Sequence, residues 1–188
     1  MQSGRPRGTL AVVLALNAPA PDFSLDGVAN GARRRVGVRD FRGRWLVLFF
    51  YPADFTFVCP TEITGFQKSL PQLERLDASV VGISADEVET HVAWAAELGG
   101  ITFPLLADPS RATILAYGVL DPAENRAYRA TIIVSPEGRI AYTVVSPLNV
   151  GRSVEETLRV VAALASGRLC PADWHPGDAT GDPTRSRA

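Results

Sequence analysis

Phe49-Phe50-Tyr51-Pro52-Ala53-Asp54-Phe55-Thr56-Phe57-Val58-Cys59-Pro60-Thr61-Glu62 decides how the rest of the chain is read. The apolar run that leads into it, 45–51, is short, aromatic and β-branched and is bounded by turn chemistry, the pattern of a buried strand. Pro52 stops the run. Pro60 then suits the start of a helix, where no backbone donor is needed. Glu62 places a negative charge in the first turn, where the helix dipole favours it. Cys59 therefore falls at the mouth of a helix, just after a strand end. Unpaired N–H groups and the positive end of the dipole favour a thiolate over a thiol in that position, the microenvironment of a reactive cysteine. The competing reading is a buried cysteine acting as a small hydrophobe. The helix mouth and the polar Thr56, three residues back, favour the reactive one.

Outward from Cys59, Ile63, Phe66, Leu70, Leu73 and Leu76 recur at three- and four-residue spacings and predict an amphipathic helix. Pro71 falls within it and predicts a kink or a break between two helical pieces. A second buried strand is expected over 79–84. Ser84, with Glu87 three residues on, reads as a capping box. The helix it would open runs through His91 and Trp94 to Leu98 and stops at Gly99-Gly100. His91 is expected on its solvated face and Trp94 in the core or at a subunit contact. A short strand over 103–106 precedes a helix from Asp108-Pro109 to Tyr117-Gly118. Two strands, 128–134 and 140–145, flank a hairpin turn over 135–139. Ser153 caps a last helix, with Glu156 at the capping-box position, that runs to about Ala165. Upstream, 22–25 and 35–38 are weak strands, with Asp26-Gly27, Asn30-Gly31 and 40–43 as turns. After Cys170 the chain is rich in Gly, Pro, Asp and Thr and reads as a loose tail. Strands alternating with helices, followed by a late hairpin, imply an α/β layer structure with a mixed sheet.

The chain has 188 residues, enough for one domain with a sizeable core. A net charge of −1 argues against a general binder of nucleic acid or acidic membrane. No stretch approaches the ~18–20 apolar residues of a membrane span. Two cysteines do not make a disulfide scaffold, so a redox or nucleophilic role is favoured over a structural staple. Two cysteines and two histidines at unrelated positions give no metal-ligand spacing. Residues 1–20 carry Arg5 and Arg7 ahead of the apolar run 10–16, faintly like a secretory signal. That run is short and prolines crowd the cleavage region, so a tail followed by a first strand is expected instead.

Pro52-x-x-x-Thr56-x-x-Cys59 followed by Pro60-Thr61-Glu62 resembles the active-site signature of the peroxiredoxins. The string from Asp54 to Glu62 is similar to the typical two-cysteine subgroup. The resemblance continues through Gly151-Arg152-Ser153-Val154-Glu155-Glu156-Thr157-Leu158-Arg159 and Cys170-Pro171-Ala172-Asp173-Trp174-His175-Pro176-Gly177. It implies a thioredoxin-like fold with a mixed central sheet, an N-terminal extension and a C-terminal arm. The corresponding segments are a tail and possible first strand over 1–18, the peroxidase domain over 19–166, and the arm over 167–188. It further implies a thiol-dependent peroxidase that reduces hydrogen peroxide and small organic hydroperoxides without a cofactor or metal. Thioredoxin or a dedicated disulfide reductase would supply electrons. Homodimers, often assembled into decamers, a cytoplasmic location and a secondary chaperone or peroxide-signalling role belong to the same expectation. A general thiol–disulfide oxidoreductase fits poorly, because such proteins place a second cysteine three residues from the first and Glu62 stands there.

By the match to the motif, Cys59 is the attacking cysteine, which becomes a sulfenic acid. Such a site must hold the thiolate, align the peroxide oxygens and stabilise charge on the departing one. The Thr56 hydroxyl can accept from a peroxide and donate to sulfur, or simply cap the helix. Pro52 would shield the thiolate, besides ending the strand. Arg129 lies in an otherwise apolar strand, a costly position unless paired; its guanidinium fork suits a thiolate and a peroxide oxygen, and an arginine on the solvent face of the sheet is an equal alternative on the residues alone. Arg129 matches the family's active-site arginine. Arg152 matches a further arginine standing behind it, and Glu62 can bridge either one or merely complement the dipole. Cys170 resembles the resolving cysteine, which attacks the sulfenic acid of a partner subunit to form a disulfide that a reductant reopens by exchange. His175 beside it reads as a loop histidine. The chain departs from readily inactivated members of the subgroup at two places. Gly99-Gly100-Ile101-Thr102 lacks the second half of a Gly-Gly-Leu-Gly loop, and no aromatic residue follows Gly177. Both departures imply quick disulfide formation and resistance to the sulfinic state.

Overall fold

The computed structural model describes residues 14–184. The run entered at Trp45 forms β3 (Trp45–Phe50), and each residue from Leu46 to Phe50 is buried. β3 lies inside a seven-stranded sheet, parallel to β4 (Ala78–Ser84) on one side and antiparallel to β8 (Arg129–Val134) on the other. β4 continues parallel to β5 (Leu105–Ala107), which meets β1 (Ser24–Ala29) antiparallel, and β1 pairs with the edge strand β2 (Ala32–Gly37). At the other edge β8 forms the expected hairpin with β9 (Ile140–Ser146). The sheet is mixed, as the alternation of elements requires.

Side chains alternate across a strand, so β3 divides its residues between two cores. Val47, Phe49 and Tyr51 face α1 (Cys59–Arg75), α2 (Val88–Glu97) and α4 (Val154–Ser166), packing with Cys59, Ile63, Phe66, Trp94 and Val161. Leu46, Leu48 and Phe50 face Phe23, Ile132, and Ile114 and Tyr117 at α3 (Ala112–Ala116). The Phe49 ring stacks on Phe66 with centroids 4.7 Å apart. It lies across β4 only because residue 82 is glycine: a Cβ there would sit 2.6 Å from Phe49 Cζ.

Several expectations are corrected. Pro71 does not break α1, which is continuous from Cys59 to Arg75. The proline lies on the exposed flank, where water can solvate the carbonyl that loses its donor. Ser84 caps nothing. It is the buried last residue of β4, its hydroxyl donates to Asp86 at 2.6 Å, and α2 starts only at Val88. Asp26-Gly27 is inside β1 rather than a turn, while Asn30 and Gly31 do form the β1–β2 turn, both at positive φ. The helix expected from Asp108 is reduced to α3, because the buried Asp108 carboxylate instead accepts the Ile114 N–H at 2.9 Å. A two-stranded hairpin, β6 (Leu120–Asp121) and β7 (Arg126–Ala127), gave no sequence signal.

Ser153 caps α4 as expected, accepting the Glu156 N–H at 3.0 Å. The chain after Cys170 is not loose. Trp174 is buried, its indole N–H donates to the Asp178 carbonyl at 3.2 Å, and its own carbonyl accepts from Arg159 at 3.1 Å. Leu169 and Gly181 form an antiparallel bridge. At the other end residues 14–18 form no strand, although the Asn17 N–H donates to Ile140 and Pro19 bridges to Arg139. The rest of the expected tail, including most of the signal-like run, lies outside the described residues. Among the described residues no helix is long and apolar enough to cross a membrane.

Candidate active site

The chain leaves β3, passes the buried Pro52 and reaches α1 over a short loop whose Phe55 adopts a left-handed backbone, φ +54. Cys59 is the first residue of α1 and Pro60 the second. The helix mouth is thus where the motif put it. The Thr56 hydroxyl accepts the Cys59 N–H at 3.4 Å and donates to the Ala53 carbonyl at 3.3 Å. In this state the hydroxyl serves the helix start, and donation to sulfur is not observed.

Cys59 is fully buried. Arg129 reaches it from the start of β8, with Nη1 3.2 Å from Sγ. The same Nη1 donates to Glu62 Oε2 at 2.8 Å, and Nε donates to the Leu148 carbonyl at 2.8 Å. Three partners therefore orient a guanidinium that is only 4% exposed. Glu62, one helical turn beyond Cys59 and also buried, bridges both arginines. Its Oε1 accepts the Arg152 backbone N–H at 2.9 Å and lies 3.1 Å from Arg152 Nε. That Nε–H makes no hydrogen bond to the carboxylate, and the side-chain hydrogen bond runs instead from Arg152 Nη2 to Glu62 Oε2 at 3.5 Å. Arg152 spends its other donors on the carbonyls of Ala130, at 2.7 Å, and Phe50, at 2.5 Å, and its guanidinium lies 5.2 Å from the Phe49 ring centroid. It thereby ties the ends of β3 and β8 to the loop before α4. Burial draws the Arg152 guanidinium below its ordinary value, and Glu62 opposes that shift. Gly151 permits the close approach, since a Cβ there would lie 3.2 Å from Val58.

Two guanidinium groups and one carboxylate leave this buried cluster one negative charge short. A thiolate at Cys59 would make it neutral, and buried charges are tolerated only when compensated. The structure thus gathers Pro52, Thr56, Cys59, Glu62, Arg129 and Arg152 around one helix start. It does not join Cys170 to them. Both cysteines are free, and the Cys170 sulfur, half-buried in the arm, has Ser166 Oγ at 3.7 Å and the Arg168 carbonyl at 3.8 Å.

His91 overturns its expected place on a solvated face. It is fully buried, with Nδ1 2.6 Å from Asp54 Oδ2. The Tyr51 hydroxyl donates to Asp54 Oδ1 at 2.9 Å. Burial raises the Asp54 carboxyl above its usual range and the His91 contact opposes this. Burial likewise pushes the Tyr51 phenol well above its ordinary value, which keeps it a donor. The available signal was the helical spacing of His91 and Trp94: three residues apart, they share a face, and Trp94 is core.

Comparison with known proteins agrees with this geometry. The model of the AhpC/TSA family matches residues 16–143. Peroxiredoxin 2 of Drosophila melanogaster is 42% identical over 184 residues, covering 92% of this chain and 95% of that protein. The crystal structure of the reduced 2-Cys peroxiredoxin of Plasmodium vivax superposes with a TM-score of 0.82 at 32% identity, covering 88% of this chain and 91% of the other. AhpC of Mycobacterium tuberculosis superposes with a TM-score of 0.80 at 35% identity, covering 87% of this chain and all (100%) of the other.

Proposed function

Because this chain belongs to the AhpC/TSA family of peroxiredoxins, thiol-dependent peroxidases of thioredoxin-like fold, we propose that Cys59 is its peroxidatic sulfur and Cys170 its resolving one. The observation that carries the first assignment is the Arg129 guanidinium 3.2 Å from a fully buried Sγ, itself oriented by Glu62 and the Leu148 carbonyl.

The Cys59 thiolate attacks one peroxide oxygen, an S–O bond forms as the O–O bond breaks, and the departing alkoxide or hydroxide takes up a proton. Cys59 is left as a sulfenic acid. Arg129 stabilises the charge that develops on the oxygens, Thr56 starts the helix that points at the sulfur, and Pro52 screens it from water. Glu62 and Arg152 hold Arg129 in place. Hydrogen peroxide and small organic hydroperoxides are the substrates that suit an enclosed sulfur of this kind. Cys170 of a second subunit then attacks the sulfenic sulfur and water leaves, giving an intersubunit disulfide. Thioredoxin or a dedicated disulfide reductase restores both thiols by exchange. Such a cycle suits a reducing compartment such as the cytoplasm. A homodimer is supported by β9, an edge strand that beyond Ile140 has no outer partner strand among the described residues and that exposes Val144 and Val145. A decamer follows only from the family.

Peroxide consumption with candidate reductants, comparing wild type with Cys59→Ser and Cys170→Ser, tests the proposal. The first variant should be inactive. The second should react once with peroxide yet give no covalent dimer on a non-reducing gel. Turnover that survives Cys59→Ser, or an oxidised wild type that runs as a monomer, would refute the corresponding assignment.

A further inference from the structure

Cys59 cannot pair with a thiol of another chain where it stands. Its side chain is fully buried, whereas a disulfide needs the two Cα atoms within about 4.4–6.8 Å of each other. The loop before α1 must therefore open during the cycle proposed above, and the contacts that close it set how readily it does. They converge on Asp54. Its carboxylate meets His91 Nδ1 at 2.6 Å and accepts the Tyr51 hydroxyl at 2.9 Å. Its backbone N–H donates to Asp86 Oδ2 at 2.9 Å, and that carboxylate is in turn fixed by Ser84 Oγ at 2.6 Å. Asp54, His91, Tyr51 and Ser84 are all buried. None of these hydrogen bonds reaches Cys59, Glu62 or either active-site arginine, so the peroxide chemistry leaves them unexplained. The next residue, Phe55, holds the left-handed backbone that a bulky side chain keeps only when its surroundings over-determine it. Its ring sits 5.9 Å from that of Trp94 on α2. A strained loop is thus held down on α2 by one buried carboxylate and one aromatic ring.

We propose that the Asp54–His91 pair is a latch that keeps the Cys59 loop closed while peroxide reacts, and that its release governs the passage of Cys59 to the disulfide. The proposal rests on the peroxidase reading. Asp54 and His91 are positioning residues. They act through the loop and not on the substrate.

The test uses full-length His91→Leu, which removes the Nδ1 contact, and His91→Asn, which keeps a donor near that atom. Asp86→Asn, at a half-buried position, weakens the backbone anchor of Asp54 and its Ser84 support while leaving the His91 side chain in place, and serves if the leucine variant does not fold. Three quantities are measured: the rate at which reduced protein consumes limiting peroxide, the rate of disulfide formation, and the fraction of Cys59 driven to sulfinic acid by excess peroxide, read by mass spectrometry. Release of Phe55 from Trp94 gives a fluorescence signal for opening. His91→Leu should slow the peroxide step, speed disulfide formation by about tenfold, the size expected for one lost hydrogen bond to a charged group, and lower the sulfinic fraction. His91→Asn should return all three towards wild type. General destabilisation would not produce opposite changes in two steps. Folded variants that partition between disulfide and sulfinic acid as wild type does would overturn the latch. A wild type that consumes no peroxide would overturn the peroxidase reading instead.

Discussion

Replacing Arg129 with methionine probes the contact on which the proposed chemistry turns. The side chain keeps much of its length and loses its charge. At 3.2 Å from Sγ, a unit charge interacts with a thiolate by about 5 kcal/mol at an effective dielectric constant of about 20. That figure is a ceiling, because the same nitrogen also faces the Glu62 carboxylate at 2.8 Å, which offsets part of its field at the sulfur. Arg152 also remains to hold Glu62. The loss expected is that of one preorganised charged donor in the transition state, about 2.7–4 kcal/mol, or roughly 10²–10³ in rate. Stopped-flow measurement of kcat/KM for hydrogen peroxide checks it, with thermal melting to establish that the variant folds. Arg129→Lys should fall between, since an ammonium keeps the charge but lacks the fork that engages the Leu148 carbonyl and Glu62 together. A folded Arg129→Met enzyme within about tenfold of wild type, less than about 1.4 kcal/mol, would show that the guanidinium does not stabilise the departing oxygen.

Two further outcomes follow from the structure. Glu62→Gln leaves Arg129 and Arg152 buried without their shared carboxylate. Urea unfolding should show a loss of about 3–5 kcal/mol, and a loss below about 1 kcal/mol would mean that the cluster is not charge-compensated as described. Pro71→Ala restores the missing backbone donor on the exposed flank of α1. The helix gains about 3 kcal/mol of propensity and gives back up to about 1 through the looser unfolded chain, so the melting temperature should rise by several degrees. A lower melting temperature would contradict this account of the helix.

Local patterns carried most of the architecture. The run 45–51 became β3, the helix start fell at Cys59, and the Ser153 cap and the β8–β9 hairpin formed as their spacing required. In each, the deciding physics acts between neighbours. The misreadings have a different origin. Ser84 has the sequence of a cap but is held in β4 by pairing with β5, through residues more than twenty positions away. His91 reads as polar and exposed until Asp54, thirty-seven residues earlier, is seen to supply its partner. Trp174 anchors the arm through Arg159 on α4, which composition alone does not reveal. Arg129 was legible only in part: an arginine in an apolar strand either finds a partner or faces solvent, the family resemblance favoured the first, and Glu62 is the partner found.

The charged groups around Cys59 are supplied from distant parts of the chain: the sulfur and Glu62 from one turn of helix, the two arginines from positions 129 and 152. During synthesis the cysteine is therefore made long before either cation. Until β8 and the following loop have been translated and docked, the sulfur has only the local helix to favour its charge. Under the assignment proposed for Cys59, reactivity towards peroxide is a property that the completed fold confers, and an unfinished chain would be spared oxidation at that atom.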